Sequence, residues 1–120
     1  MPELPEVETM RRGVLPIVGD RIVRAELPPC HRKPIQFTPS IRVFDRRVRD
    51  RHVIGIQRLG KRVIVCLEDE QAVVIEPRMT GLVLLSDPPG PEHLRLRMIL
   101  EGDRRRELLF WDRRGLGTVR

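Results

Sequence analysis

Tyrosine is missing from this sequence, and aromatic residues of any kind are scarce: Trp111 and three phenylalanines. A core here has to be assembled from valine, isoleucine and leucine. Cysteine is nearly absent as well. Cys30 and Cys66 stand far apart, with no C-x-x-C spacing and no histidine pair. That argues against a disulfide framework and against a structural zinc built within the chain. It suits a reduced, intracellular setting, so the expected location is the cytoplasm. No apolar run approaches membrane-spanning length, and the N-terminus is acidic where a signal peptide would be basic and then apolar. Lysine is confined to Lys33 and Lys61.

What is present is arginine, in a chain of 120 residues with a net charge of +6. That length is one domain's worth and can bury a core without staples. A hydrophobic fraction of 40% is that of an ordinary globular chain. Arginine offers planar, forked donors suited to phosphates and base edges. The basic balance points to a polyanion, nucleic acid ahead of a membrane surface. Solubility alone accounts for the same balance equally well.

The segment from Pro5 to Val18 reads as a helix. Pro5 suits a first turn, Glu6 and Glu8 complement the positive end of the dipole, and Arg11 and Arg12 the negative end. Val7, Met10 and Val14, with Leu15, form one apolar stripe. Pro16 marks a last turn or short extension. Strands are predicted over 20–27, 53–59, 62–67, 71–75, 82–85, 94–100 and 107–111, with a proline-rich loop over 28–40. In LRLRMIL the alternation places Leu94, Leu96, Met98 and Leu100 on one face, with Arg95 and Arg97 on the other. Nothing at Thr118-Val119-Arg120 resembles a closing helix or strand, which reads as a domain boundary or a truncation. The expected fold is mainly β: a two-sheet β-sandwich, or flattened barrel, with an N-terminal α-helix packed against it.

The opening Met1-Pro2-Glu3-Leu4-Pro5-Glu6 carries the chemistry. Removal of Met1, usual before a small residue, leaves Pro2 with a free secondary amine. An α-amine has a reference pKa of about 7.7–8.0, so part of it is uncharged at neutral pH. Such an amine attacking an anomeric carbon gives an iminium, an electron sink for later eliminations. Glu3 could protonate the sugar ring oxygen and shuttle protons; Glu6 could hold the amine or a sugar hydroxyl. With Met1 retained, the Pro2 nitrogen is an amide and cannot do this. Read without reference to any family, the same residues also make an ordinary helix start.

MPELPEVET followed by arginines resembles the opening of the formamidopyrimidine-DNA glycosylase and endonuclease VIII family, more closely the former. The resemblance implies a bifunctional base-excision enzyme. It flips an oxidised purine out of double-stranded DNA, excises it through an N-terminal proline Schiff base, and nicks the abasic strand by β,δ-elimination. Pro2 then matches the nucleophile, Glu3 the general acid and Glu6 the supporting carboxylate. Gln57-Arg58-Leu59-Gly60-Lys61-Arg62 resembles the family's R-x-G-K segment, with Lys61 matching a phosphate-binding lysine. Arg78-Met79-Thr80-Gly81 resembles M-[ST]-G, with Met79 matching a residue that fills the gap left by the flipped base. Trp111-Asp112-Arg113-Arg114-Gly115-Leu116-Gly117 resembles D-P-R-R-F-G. It places Arg114 at the arginine facing the orphaned base and Leu116 at a wedging phenylalanine; a shift by one residue would use Arg113. His93 matches a histidine at a strand start, read as a backbone contact or simply a surface histidine. No cofactor is implied in this chain.

Four positions depart from the family pattern. Glu76 stands where a phosphate-contacting histidine is usual, and an acid beside DNA backbone repels it. Arg113 replaces a loop proline, Gly115 the second loop arginine, and Leu116 the phenylalanine. The resemblance places residues 1–120 as the N-terminal catalytic domain. A helix-two-turn-helix region and a C-terminal zinc finger, where the family's zinc belongs, are absent from this sequence. An isolated domain of this kind is expected to be weakly active or inactive. The competing expectation is a non-catalytic damaged-DNA-binding paralogue of the same fold. DNA bearing an oxidised purine or abasic site is the expected partner, in the cytoplasm at the nucleoid, with neither a membrane nor an obligatory protein partner.

Overall fold

The computed structural model describes residues 4–30, 36–38, 40–78, 81–113, 115 and 117–120, with backbone alone at Leu4, Pro5, Gln36 and Pro91. Helix α1 spans Leu4–Gly13. It stops at Gly13, a poor helix residue, and a single 3-10 turn over Leu15–Ile17 places Pro16 where its missing N–H costs nothing. Strand β1 is Arg21–Glu26, β2 Gln36–Phe37, and helix α2 Ile41–Val48. There follow β3 (Val53–Leu59), β4 (Arg62–Leu67), β5 (Ala72–Glu76), β6 (Gly81–Leu84), β7 (Leu94–Glu101), β8 (Arg105–Asp112) and β9 (Thr118–Val119).

The strands form two sheets, ordered β1-β7-β8-β6 and β2-β9-β5-β4-β3. Every pairing is antiparallel except β2 with β9. The fold is therefore an open sandwich, not a closed barrel. Alternation does the sorting. Along β4 the inward residues Val63, Val65 and Leu67 are buried, and the residues between them are half-exposed. Facing them across the core are Leu96, Met98 and Leu100 of β7 with Leu108 and Phe110 of β8. Helix α1 packs its Val7 and Met10 face, continued by Val14 just beyond its end, along the open side between β3, β4 and β6. Each such buried aliphatic side chain contributes about 1.5–3 kcal/mol.

Three features differ from the sequence expectation. Helix α2, unpredicted, packs against β1 with Phe44 and Val48 buried, and its Asp45 carboxylate accepts the Ala25 N–H at 2.7 Å. That bond occupies a backbone donor on an edge strand. The chain end is not bare: β9 pairs with both β2 and β5. Finally, β7 carries a bulge between Leu94 and Leu96. Leu94 consequently leaves the core face and joins Arg97 and Leu109 on the outer one. Arg95, at the bulge, is buried and donates from Nε to the Asp112 carbonyl at 2.9 Å.

Candidate nucleic-acid interface

Strand directions bring four segments to one end of the sandwich. Strand β3 ends and β4 begins at the Gly60-Lys61 turn. Strand β5 ends at Glu76, and the chain crosses to the other sheet to start β6 at Gly81. Strand β8 ends at Asp112 and returns to the second sheet as β9 at Thr118. Gly81 and Asp112 are register partners, as are Glu76 and Thr118, so the two crossover loops lie side by side. The fourth segment is the first turn of α1. Its last residue, Gly13, shares a cavity lining with Leu85 and Ser86, beyond the far end of β6. Arg11 reaches the Ile56 carbonyl at 3.1 Å, while Glu8 meets Arg58 at 3.5 Å, nearer the Lys61 turn. The helix therefore points its N-terminus toward the crossover loops.

Sequence reasoning passed over the residues that build this end. Asp112 is completely buried. Its carboxylate accepts the Gly115 N–H at 3.1 Å and the Gly117 N–H at 2.7 Å, so one side chain holds both glycines. Asp followed by glycine within a few residues is an Asx-type turn signal that could have revealed it. Gly115 has φ of +68°, a conformation that glycine adopts without steric cost. A Cβ on Gly81 would lie 2.4 Å from the Pro77 carbonyl oxygen, and one on Gly117 2.6 Å from the Phe110 ring. Both loop bases are thus packed on the core.

Glu8 is the second organiser. Arg11 donates to it from Nε at 3.0 Å and Nη2 at 2.8 Å, Arg12 from Nε at 3.0 Å, and Arg58 closes from β3. The Arg11 hydrogen bonds, followed by those of Arg12, pull its pKa down to about 2. Arg58 also donates to the Gly60 carbonyl at 2.9 Å. This chain of contacts ties the opening helix to the turn that carries Lys61.

The predicted residues distribute as follows. Glu6 is exposed on the first turn of α1 and lines a cavity of about 560 Å³ with Thr9, Met10 and the β6 residues Leu82 and Leu84. Lys61 is exposed at the turn. His93 is mostly covered, its ring edge-on to Trp111 at 5.5 Å, and Trp111 donates to the Gly90 carbonyl at 2.8 Å. Arg113, the alternative to Arg114, is exposed in the β8–β9 loop. Pro2, Glu3, Met79, Arg114 and Leu116 lie outside the described residues, although the segments flanking them are the ones that converge. Glu76 is not a bare acid beside this end; Arg62 and Arg78 pair with it at 3.1 and 3.3 Å. Among the described residues, no group of three or more His, Cys, Asp or Glu could hold a metal ion, and no helix is long and apolar enough to cross a membrane.

A sequence model of the formamidopyrimidine-DNA glycosylase N-terminal domain matches residues 1–119. The chain belongs to that family. The enzyme of that name from Thermomicrobium roseum is 40% identical over 103 residues, covering 83% of this chain and 35% of the relative. That from Acidothermus cellulolyticus is 38% identical over 124 residues, covering 99% and 42%. A crystal structure of Lactococcus lactis Fpg with DNA containing an abasic site superposes with a TM-score of 0.82 at 30% identity, over 98% of this chain and 43% of that one. A structure of MutM with DNA containing carbocyclic 8-oxo-G gives the same values. The chain thus spans about two fifths of the length of these family members. The sandwich with its N-terminal helix is the family's N-terminal fold.

Proposed function

We propose that residues 1–120 are the nucleophile-bearing N-terminal domain of a DNA glycosylase and abasic-site lyase that removes oxidised purines, formamidopyrimidine and 8-oxoguanine. The observation that carries this reading is the convergence of the α1 N-terminus, the Lys61 turn and the two crossover loops at one end of the sandwich. The solved relatives bound to abasic-site and 8-oxo-G-type DNA support the substrate class.

In the proposed reaction Met1 has been removed and the Pro2 nitrogen attacks C1′ of the damaged nucleotide. The bond from C1′ to the base breaks, and the base leaves with a proton. Glu3 gives a proton to O4′ as the sugar ring opens, forming the Pro2 iminium at C1′. The iminium acidifies the C2′ proton. Its removal expels the 3′ phosphate, a second elimination expels the 5′ phosphate, and water hydrolyses the remaining iminium, releasing the sugar remnant as an aldehyde and restoring the Pro2 amine. Glu6 holds the amine or a sugar hydroxyl in place. Lys61 grips phosphate, and His93 contributes a backbone contact from its covered position. Met79, Arg114 and Leu116 fill the space of the extruded base, with Arg114 facing its former partner. The amine supplies both nucleophile and electron sink, so these steps ask no cofactor of this domain. The family's helix-two-turn-helix and zinc-finger regions belong to the length this chain does not span. The site of action is DNA at the nucleoid in the cytoplasm, with no obligatory protein partner.

Borohydride reduction on an abasic duplex tests the reading. Protein with a free Pro2 nitrogen should give a covalent complex that is lost in Pro2→Gly. A second reading, a DNA-binding domain that has given up excision, is favoured by Gly115 at an expected arginine position. Salt-sensitive DNA binding with no covalent complex would select it.

A further inference from the structure

Glu76 closes β5 on the outer face of the five-stranded sheet, in a cross-strand row with Thr118 of β9 and Arg62 of β4. Its side chain is only 19% exposed, and each carboxylate oxygen takes one arginine Nε: Arg62 on Oε1 at 3.1 Å and Arg78 on Oε2 at 3.3 Å. With both Nε groups turned to Glu76, the Nη edges of the two guanidiniums are left for another ligand. Among the described residues neither arginine has a second side-chain partner. With Thr38, Thr118 and Arg120 they line a cavity of about 190 Å³, large enough for a small tetrahedral anion and lined by cationic and hydroxyl side chains. Arg78 holds φ of +52°, a conformation unfavourable for a side-chain-bearing residue and retained where the surroundings enforce it. The cavity's lining residues Glu76, Arg78 and Thr118 lie where the two crossover loops leave and rejoin the sheet.

We propose that Arg62, Arg78 and Arg120 form a phosphate-binding site that Glu76 organises by gripping two of the guanidiniums. Thr38 and Thr118 supply hydroxyl donors. Arginine takes phosphate through paired N–H groups, and a carboxylate that fixes the guanidinium planes removes part of the ordering cost. In the DNA-bound protein the occupant is a backbone phosphodiester, an assignment that rests on the DNA reading above. Glu76 then aids binding, where an unpaired acid would oppose it.

The 120-residue protein is titrated with inorganic phosphate at constant ionic strength set by chloride, following the Nε–Hε resonances of Arg62 and Arg78. Saturable shifts are expected, abolished in Arg62→Ala and weakened in Glu76→Gln. Linear shifts identical in Glu76→Gln overturn the site. A second arm uses a duplex carrying an abasic-site analogue. Arg62→Ala and Arg78→Ala should each lower the salt slope of log K by about one, on damaged and undamaged DNA alike. Glu76→Gln should weaken binding about threefold, against the sign that removing an acid near DNA gives through charge alone. Unchanged slopes with tighter binding by Glu76→Gln sink the proposal and leave the glycosylase reading standing. Saturable phosphate binding in a protein that ignores DNA supports the anion site and removes the DNA reading.

Discussion

At the far end of the sandwich, the β7–β8 hairpin turns over 102–104 and the β4–β5 turn over 68–70, all exposed to solvent. Arg104 and Arg105 stand there with no side-chain partner among the described residues. The far end has its own anchor: Arg106 reaches the Pro16 carbonyl and the buried Asp20. At the near end the β8–β9 crossover is held by a buried carboxylate, and Gly81 and Gly117 lie against Pro77 and Phe110 with no room for a side chain. The same strands therefore end in two kinds of loop. One kind is exposed at its tip, although a Cβ on Gly102 would meet the Asp20 carboxylate; the other has its roots packed on the core, as positioning a side chain for chemistry requires.

The largest effect should come from Asp112→Ala. It strips the acceptor from two buried N–H groups, at a cost of about 1.5–3 kcal/mol, and frees the 112–117 loop. Urea unfolding should show the loss in stability, and DNA binding should fall with it. A stable variant with normal binding would dissolve the distinction between the ends. Next, Lys61→Ala and Arg104→Ala form a matched pair of exposed charges. The first should lower the salt slope of DNA binding by about one, and the second should leave it unchanged. Equal effects from both would mean that binding is spread over the surface and not gathered at one end.

The smallest effect concerns Glu8. Its pKa is depressed to about 2 by Arg11 and then Arg12, so its contribution is complete above the unfolded value near 4.5 and is lost as pH falls toward 2. Melting temperatures of the protein and Glu8→Gln should differ at pH 6 and converge by pH 2. A constant gap across that range would show that the Glu8 charge does not stabilise the helix against β3.

Much of the fold was legible because alternation survives in β4 and in most of β7, and because α1 has an apolar stripe with charges of the right sign at each end. Helix α2 was missed although Ile41, Phe44 and Val48 have helical spacing. Its remaining positions are mostly arginine, and it follows a proline-rich stretch that masks a helix start. Strands β2 and β9, each of two residues, are too short to carry a period and exist through tertiary pairing alone. The β7 bulge reversed the expected face of Leu94 because nothing in LRLRMIL marks it. For the site, Glu6 was reached from its place beside the N-terminal amine and Lys61 through motif resemblance. Asp112 and Arg58 stood there only as members of quoted motifs with no role assigned, and Glu8 was read as a complement to the helix dipole. Their roles depend on which strand ends meet, a property of topology. Glu76, read as a repulsive acid, acquires its partners from β4 and from the residue opening the next loop.

The central claim is that the Pro2 nitrogen itself bonds to deoxyribose. Its most direct test is peptide mapping by mass spectrometry of the borohydride-reduced complex between abasic DNA and the complete gene product with Met1 removed. The account predicts a deoxyribose-derived mass on Pro2 in the N-terminal peptide. A reduced adduct located on Lys61 or Lys33, with Pro2 unmodified, would contradict it.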